Sequence, residues 1–203
     1  MRAHGVLRCL LGGYVGLDPR ALRFSAGPHG KPSVLVGGEA ENGSKAERRT
    51  GPRVGASVAF NISHAGSLAL LGFTAEGAIG VDVEASSERP RDEVAVAKRL
   101  LGAAEAERLG SLQPAHRREE FLRTWTHHEA RAKLAGSGLG LERQPQRAMR
   151  SPRKLRSPRH GPSREPWLAD LDVGPGRAAS VALEQAPVEL HCWSWESARL
   201  VRF

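Results

Sequence analysis

The stretch Ile79-Gly80-Val81-Asp82-Val83-Glu84 combines strict alternation with two carboxylates. As a β-strand it places its aliphatic side chains on one face and both acids on the other. The two acids lie about 7 Å apart along such a strand, and like charges held that close favour a cation between them. Mg²⁺ is the simplest candidate, because it takes oxygen ligands and commonly combines carboxylates with phosphates. On this stretch alone, a solvent-exposed strand face carrying two acids is the commoner explanation.

Hydrophobic periodicity and turn residues predict mixed strands and helices around this stretch. The predicted strands cover residues 22–25, 57–62, 67–74, 78–84, 167–171, 179–183 and 188–195. The strands 67–74 and 78–84 are expected to form a hairpin, because a turn at 75–77 joins them. The predicted helices cover residues 2–16, 93–101, 104–109 and 119–135. Asp92 is a suitable N-cap and Gly136 a suitable C-terminal stop for two of these helices.

The positive charge of the chain is confined to one segment. The 203 residues carry 30 Lys and Arg against 22 Asp and Glu. Residues 143–164 hold eight of the basic residues and no acidic one, so the rest of the chain is balanced at 22 of each. The segment also holds four prolines and few apolar side chains, which predicts a disordered insertion. Nucleic-acid binding through this segment remains an alternative, although no zinc-ligand spacing, helix-turn-helix signal or aromatic stacking surface accompanies it.

Two cysteines, Cys9 and Cys192, are too few for a disulfide framework and have no metal-ligand spacing. No apolar run approaches the 18 or so residues of a transmembrane helix. Arg8 interrupts the apolar run near the N-terminus, which argues against a secretory signal. These features predict a cytoplasmic protein without a membrane partner.

Four separated pieces suggest one polyphosphate site. Lys31 follows a Gly-Pro loop, Ser63-His64 ends a strand, and Glu129 lies one helical turn before Lys133. Together with the two strand acids, they combine carboxylates for a metal with cationic and hydrogen-bonding groups for phosphate, which is what phosphoryl transfer needs. Each piece alone has an ordinary explanation: a solvated loop lysine, a turn hydroxyl beside a structural histidine, and a helical ion pair.

At this point the sequence resembles the Sfp-type 4′-phosphopantetheinyl transferases. The resemblance covers roughly residues 16–141, with a looser match from 167 to 195. The matching motifs are Gly30-Lys31-Pro32, Phe60-Asn61-Ile62-Ser63-His64, Gly80-Val81-Asp82-Val83-Glu84, and Trp125-Thr126-His127-His128-Glu129-Ala130-Arg131-Ala132-Lys133 followed by Gly136-Ser137-Gly138-Leu139.

The resemblance implies a Mg²⁺-dependent enzyme of the holo-[acyl-carrier-protein] synthase type. Such an enzyme moves the phosphopantetheine arm of coenzyme A onto a serine of an acyl or peptidyl carrier protein and releases 3′,5′-ADP. Fatty acid or secondary metabolite biosynthesis is the expected setting. Because carrier proteins tend to be acidic, the basic segment could also speed their encounter with the enzyme.

The resemblance also implies roles for individual residues. Asp82, Glu84 and Glu129 are expected to hold Mg²⁺, and Lys133 to contact a phosphate. Lys31, Ser63 and His64 are expected to bind the coenzyme A nucleotide. Arg8 is expected to bind it too, as the remainder of a basic N-terminal set. Glu105 is expected to deprotonate the serine or to lie at the rim of the site. Glu129, Lys133 and Glu105 are thus the expected catalytic residues.

The implied fold is α+β, with two similar sheet-plus-helix halves and a shortened N-terminal half. The expected boundaries are a shortened half over residues 1–56, a catalytic half over 57–141, the basic insertion over 142–166, and completing strands over 167–203. Two features keep a second interpretation open. In this interpretation the protein is a degenerate member of the family that binds coenzyme A or a carrier without turnover. The N-terminal half is short, and His128 stands where the family usually has Lys.

Overall fold

The computed structural model describes residues 2–26, 31–35, 58–88, 92–136, 165–196 and 199–202. Its helices are α1 (Arg2–Val15), α2 (Glu93–Leu100), α3 (Ala103–Gly110) and α4 (Pro114–Ala135), with a 3₁₀ turn at Ser86–Glu88. Its strands are β1 (Arg23–Ala26), β2 (Pro32–Leu35), β3 (Ala59–Ala65), β4 (Leu68–Thr74), β5 (Ile79–Ala85), β6 (Trp167–Leu171), β7 (Arg177–Leu183), β8 (Trp193–Glu196) and β9 (Arg199–Arg202). The α+β prediction is confirmed.

The central sheet has the order β5-β7-β6, with antiparallel pairing throughout. In β5 the predicted alternation is present, but α4 covers the acidic face, so this strand is buried on both sides. The aliphatic face of β5 joins apolar clusters that include Val81, Val83, Ala179 and Val181. The sheet therefore holds both acids of β5 between itself and one long helix.

Gly80 sets the distance between α4 and β5. A Cβ added at this glycine would lie 2.0 Å from the carbonyl oxygen of Ala130 and 2.4 Å from the backbone nitrogen of Leu134. Real Cβ atoms do not approach backbone that closely, so any side chain here forces the helix away. The absence of a side chain at position 80 is what lets α4 bring its inner face down onto the strand.

The β3–β4 hairpin lies beside β5 without forming a ladder with it. Instead, side chains of β3 replace the missing strand partner: the Val81 amide donates to Asn61 Oδ1 at 2.9 Å, and the Val83 amide donates to Ser63 Oγ at 3.3 Å. These two bonds lie on either side of Asp82, at the boundary between the β3–β4 hairpin and the central sheet. We call this boundary the β3/β5 seam.

The predicted hairpin between residues 67–74 and 78–84 is wrong. The first of these strands, β4, pairs with β3 through a tight turn in which Gly66 has a φ of 56°, and β5 pairs with β7. The chain does turn at 75–77, but this turn connects β4 of one sheet to β5 of another. Side chains of β3 satisfy the backbone on the other edge of β5, so β5 needs no hairpin partner there.

Most other predicted elements are present, with shifted ends. Asp92 caps α2 by accepting from the Ala95 amide at 2.9 Å, and Gly136, with a φ of 64°, ends α4 as expected. The strand predicted over 188–195 begins only at Trp193, where it pairs with β9. The basic insertion predicted at 143–164 and the first four residues of the Gly-Pro loop, 27–30, lie outside the described residues.

The N-terminal part contains α1 and the two-stranded β1–β2 sheet. Its core packs Leu7, Leu11 and Val15 of α1 against Leu22 and Phe60. Since Phe60 belongs to β3, this cluster continues into the part that carries the acidic stretch. The domain boundaries at 56, 141 and 166 stay predictions.

Candidate active site

A cavity of about 300 Å³ opens at the β3/β5 seam. It is lined by Ile62, Ser63, His64, Asp82, Val83, Glu84, Glu129 and Lys133. Strand β3 supplies the first three of these residues, β5 the next three, and α4 the last two. Six of the residues predicted for the site, on three separate elements, are thereby brought together.

Asp82 is the buried centre of this cavity. It is 3% exposed, and its Oδ1 accepts from Ser63 Oγ at 2.9 Å and from Lys133 Nζ at 2.7 Å. Its Oδ2 has no hydrogen-bond partner among the described residues. Burial raises the pKa of the Asp82 carboxyl above its ordinary value, and the adjacent Lys133 ammonium opposes that shift. Hydrogen bonds thus hold Oδ1 in place, whereas the buried Oδ2 would be stabilised by a hydrogen-bond donor or a cation.

Ser63 and Lys133 orient one another as well as Asp82. Lys133 Nζ donates to Ser63 Oγ at 2.9 Å, and that hydroxyl in turn donates to Asp82. The same hydroxyl accepts the Val83 amide of β5. Ser63 therefore joins β3, β5 and α4 at one oxygen, and a hydroxyl with one donor and two accepted bonds is fully used.

Glu84 is held from the side by a tryptophan. Trp125 Nε1 donates to Glu84 Oε1 at 2.9 Å, and the Trp125 ring stacks on Phe121 with centroids 6.0 Å apart. His128, the departure from the family pattern, is half-buried, and its ring centroid lies 6.4 Å from that of Trp125. The residue at 128 thus lies on the aromatic side of α4, outside the set that lines the cavity.

Three predicted site residues do not line the cavity. The guanidinium of Arg8 donates to the carbonyls of Pro19 and Leu22, at 3.1 and 2.8 Å, and lies over the Phe24 ring. These contacts stabilise the N-terminal part, so the structure gives no support to the predicted nucleotide role of Arg8. Lys31 lies at the junction of α4 and β5, where its ammonium donates to backbone carbonyls of both elements.

Glu105 is held elsewhere by ionic contacts. Its carboxylate accepts three hydrogen bonds from Arg108, the shortest at 2.7 Å, and one from Thr124. These bonds, led by those from Arg108, lower the pKa of the Glu105 carboxyl below its ordinary value. A carboxylate tied up in this way is a poor general base near neutral pH, because its affinity for a proton is reduced. The predicted catalytic role of Glu105 therefore has no support in these contacts.

The carboxylates fit a hard divalent cation in chemistry, although they are not yet gathered around one point. Oxygen ligands are what Mg²⁺ prefers, and the unpartnered Asp82 Oδ2 is a suitable ligand atom. Across the described residues, no group of three or more His, Cys, Asp or Glu side chains is arranged to hold a metal ion. Lys133 and Trp125 each donate a hydrogen bond to one oxygen of Asp82 and Glu84, respectively, so these two oxygens already have partners.

Sequence reasoning missed residues whose role is to place the acids. Asn61 was part of a quoted motif, but its amide is a substitute strand partner and not a ligand. Gly80 was placed on the polar face, but nothing in a strand pattern reveals that a helix backbone will contact it. Ser180 lies directly opposite Asp82 on β7, fully buried, and its Oγ has no hydrogen-bond partner within the described ranges. The single glycine of β5 was the available signal for Gly80, whereas Ser180 lies among the alanines of β7 and has no such signal.

A family model described as the 4′-phosphopantetheinyl transferase superfamily matches residues 78–179, which is half of the chain. The chain belongs to this superfamily. The matched part begins at the strand that carries Asp82 and Glu84 and runs through α4 to β7. The resemblance recognised from the motifs is therefore confirmed.

Two cyanobacterial members of the superfamily are similar to the chain. A putative 4′-phosphopantetheinyl transferase of Synechocystis sp. is 34% identical over 133 residues, which are 66% of this chain and 47% of that protein. The 4′-phosphopantetheinyl transferase HetI of Nostoc sp. is 35% identical over 136 residues, which are 66% of this chain and 50% of HetI. The chain thus spans about half the length of these curated relatives.

Helices suited to a membrane are absent from the part of the chain that the structure describes: none of the four is both long and apolar enough to cross a bilayer.

Proposed function

We propose that this protein transfers the 4′-phosphopantetheine group of coenzyme A to a serine of an acyl or peptidyl carrier protein, with Mg²⁺. The observation that carries the proposal is Asp82: a buried carboxylate with one oxygen tied to Lys133 and the other unpartnered, in a cavity shared with Glu84 and Glu129. Membership of the superfamily supports the same reaction.

In this proposal Asp82, Glu84 and Glu129 hold Mg²⁺. When bound, the ion supplies charge neutralisation for the coenzyme A pyrophosphate, which is the main requirement of phosphoryl transfer. Lys133 donates to a phosphate oxygen once its hydrogen bond to Asp82 is released. His64, which lines the cavity and is exposed, contacts the 3′-phosphate of the nucleotide in this proposal, while the Ser63 hydroxyl keeps Asp82 oriented.

The chemical step replaces a phosphoanhydride bond of coenzyme A with a phosphoester bond to the carrier serine. The carrier serine oxygen forms a bond to the β-phosphorus of coenzyme A, the bond between that phosphorus and the bridging oxygen breaks, and 3′,5′-ADP leaves with the electron pair. The serine proton passes to the Glu129 carboxylate, which lines the cavity. Because Glu129 has two carboxylate oxygens, one would hold the ion while the other accepts the serine proton.

The test is a transfer assay with the full chain. Protein, fluorescent coenzyme A, Mg²⁺ and a panel of apo carrier proteins are incubated and separated on a gel, with Asp82→Asn and the exposed-site control Arg131→Met alongside. We expect label on a carrier with the wild type and with the control, and at least about 100-fold less with Asp82→Asn, because a transition-state contact of this kind is worth a few kcal/mol.

No label from the wild type with any carrier, combined with normal folding, would contradict the proposed transfer. Retained coenzyme A binding under those conditions would favour the degenerate binding protein in its place. Label transfer by Asp82→Asn at the wild-type rate would show that the cavity is not the reacting site.

A further inference from the structure

Lys31 makes contacts that a nucleotide ligand could not share. Its ammonium donates to three backbone carbonyls: Ile79 O at 3.0 Å, Lys133 O at 2.8 Å and Leu134 O at 3.1 Å. An ammonium has three N–H donors and no acceptor, so all three are used. No donor remains for a phosphate while these bonds exist.

The three acceptors lie at one junction of the fold. Lys133 and Leu134 belong to the last turn of α4, where helix carbonyls lack intrahelical partners, and Ile79 is the first residue of β5. The Gly136 amide also donates to the Lys133 carbonyl at 3.2 Å, so Lys31 completes the cap of this helix end. A cation at a helix C-terminus is also favoured by the helix dipole.

The side chain comes from a distant part of the chain and is half-buried at the junction. Lys31 directly precedes β2, whose sheet with β1 belongs to the N-terminal part, and its partners lie 48 to 103 residues away in sequence. Burial lowers the pKa of the Lys31 ammonium, and the charge of Glu184 opposes this effect. The three carbonyls offset the desolvation that burial imposes.

We infer that Lys31 is a positioning residue: it fixes the last turn of α4 to the start of β5, and so holds Lys133 against Asp82, without binding the nucleotide. The backbone carbonyl of Lys133 accepts a hydrogen bond from Lys31, and the side-chain ammonium of the same Lys133 donates one to Asp82. Loosening the first contact therefore moves the second. The part of this inference that concerns nucleotide binding rests on the proposed function.

The first experiment measures the binding affinities of coenzyme A and of dephospho-coenzyme A, which lacks the 3′-phosphate. The ratio of the two affinities is compared among the wild type, Lys31→Met and Lys31→Arg. Arginine keeps the charge and suits a phosphate, but its planar fork cannot direct three donors at three converging carbonyls. We expect both variants to keep the wild-type preference for coenzyme A within about twofold. Loss of that preference by Lys31→Met, with Lys31→Arg restoring it, would overturn the inference.

A second experiment needs no coenzyme A and remains informative if the proposed function fails. Amide hydrogen exchange is measured on the full chain for the same three proteins. We expect exchange at Lys133 to Gly136 to become at least about tenfold faster in both variants, while amides in the middle of α4 keep their wild-type rates. Unchanged exchange at the helix end in Lys31→Met would overturn the inference.

A double-mutant cycle separates positioning from general stabilisation. Where transfer is measurable, Lys31→Met is expected to lower kcat, and to have little further effect when combined with Lys133→Met, because the second change removes the group that Lys31 positions. Equal and multiplicative effects of the two substitutions would contradict an action through Lys133.

Discussion

Gly80→Ala is expected to prevent α4 from packing on β5. The added methyl group would lie 2.0 Å from the Ala130 carbonyl oxygen and 2.4 Å from the Leu134 nitrogen, and both atoms belong to the helix backbone. A flexible side chain could turn aside, but a helix backbone must move as a whole. We expect a loss of at least about 3 kcal/mol in the free energy of unfolding, at the upper end for overpacking.

The measurement is urea unfolding followed by far-ultraviolet circular dichroism, with Gly13→Ala as the matched control. A Cβ at Gly13, inside helix α1, meets no atom within 4 Å. Alanine there should stabilise the helix by about 0.5–1 kcal/mol, because it restricts the unfolded chain without a clash. If Gly80→Ala unfolds at the wild-type urea concentration, the close approach of α4 and β5 is not a feature of the protein.

Lys133→Met is expected to destabilise the metal-free protein by about 3 kcal/mol at neutral pH. The substitution leaves the Asp82 carboxylate buried without its cation, and removing one partner of a buried ion pair is strongly destabilising. Combining it with Asp82→Asn should recover most of the loss, because the uncompensated charge is then absent. Arg131→Met, an exposed change on the same helix, should remain within about 0.5 kcal/mol of the wild type.

The pH dependence of that loss has a definite sign. Burial already raises the pKa of Asp82 and Lys133 opposes the rise, so removing Lys133 raises it further. A carboxyl with a raised pKa in the folded state favours folding at low pH, where it is protonated, and this contribution is lost as the pH rises through the folded pKa. The deficit of Lys133→Met should therefore shrink in acid. Urea unfolding at several pH values measures it, and an equal deficit at all of them would contradict the account of this pair.

Much of the site was accessible from sequence because its residues lie in local patterns. Strand alternation put Asp82 and Glu84 on one face, and helical spacing put Glu129 and Lys133 together, and all four line one cavity. These periodicities are short-range properties of the backbone, so they survive the details of packing. The family motifs then joined the separate pieces.

What sequence could not supply are the long-range partners. The resemblance assigned Lys31 to the nucleotide, and no sequence pattern indicated its three acceptors, because they are backbone carbonyls, which every residue has and no motif marks. Glu105 matched an acidic position and its i,i+3 pair with Arg108 lies on the same helix, but its contact with Thr124 of α4 is decided by how α3 meets α4. The strand partner of β5 was also missed, because the pattern of a single strand carries no information about which edge will face it.

The most direct test of the central claim is calorimetric titration of coenzyme A into the full chain, with Mg²⁺ and then with EDTA, for the wild type and Asp82→Asn. A cation site at the β3/β5 seam predicts binding by the wild type in Mg²⁺ that weakens at least about tenfold in EDTA, and Asp82→Asn should show weak binding that Mg²⁺ does not improve. Equal affinity in both buffers, or a full response to Mg²⁺ by Asp82→Asn, would contradict the assignment of this cavity.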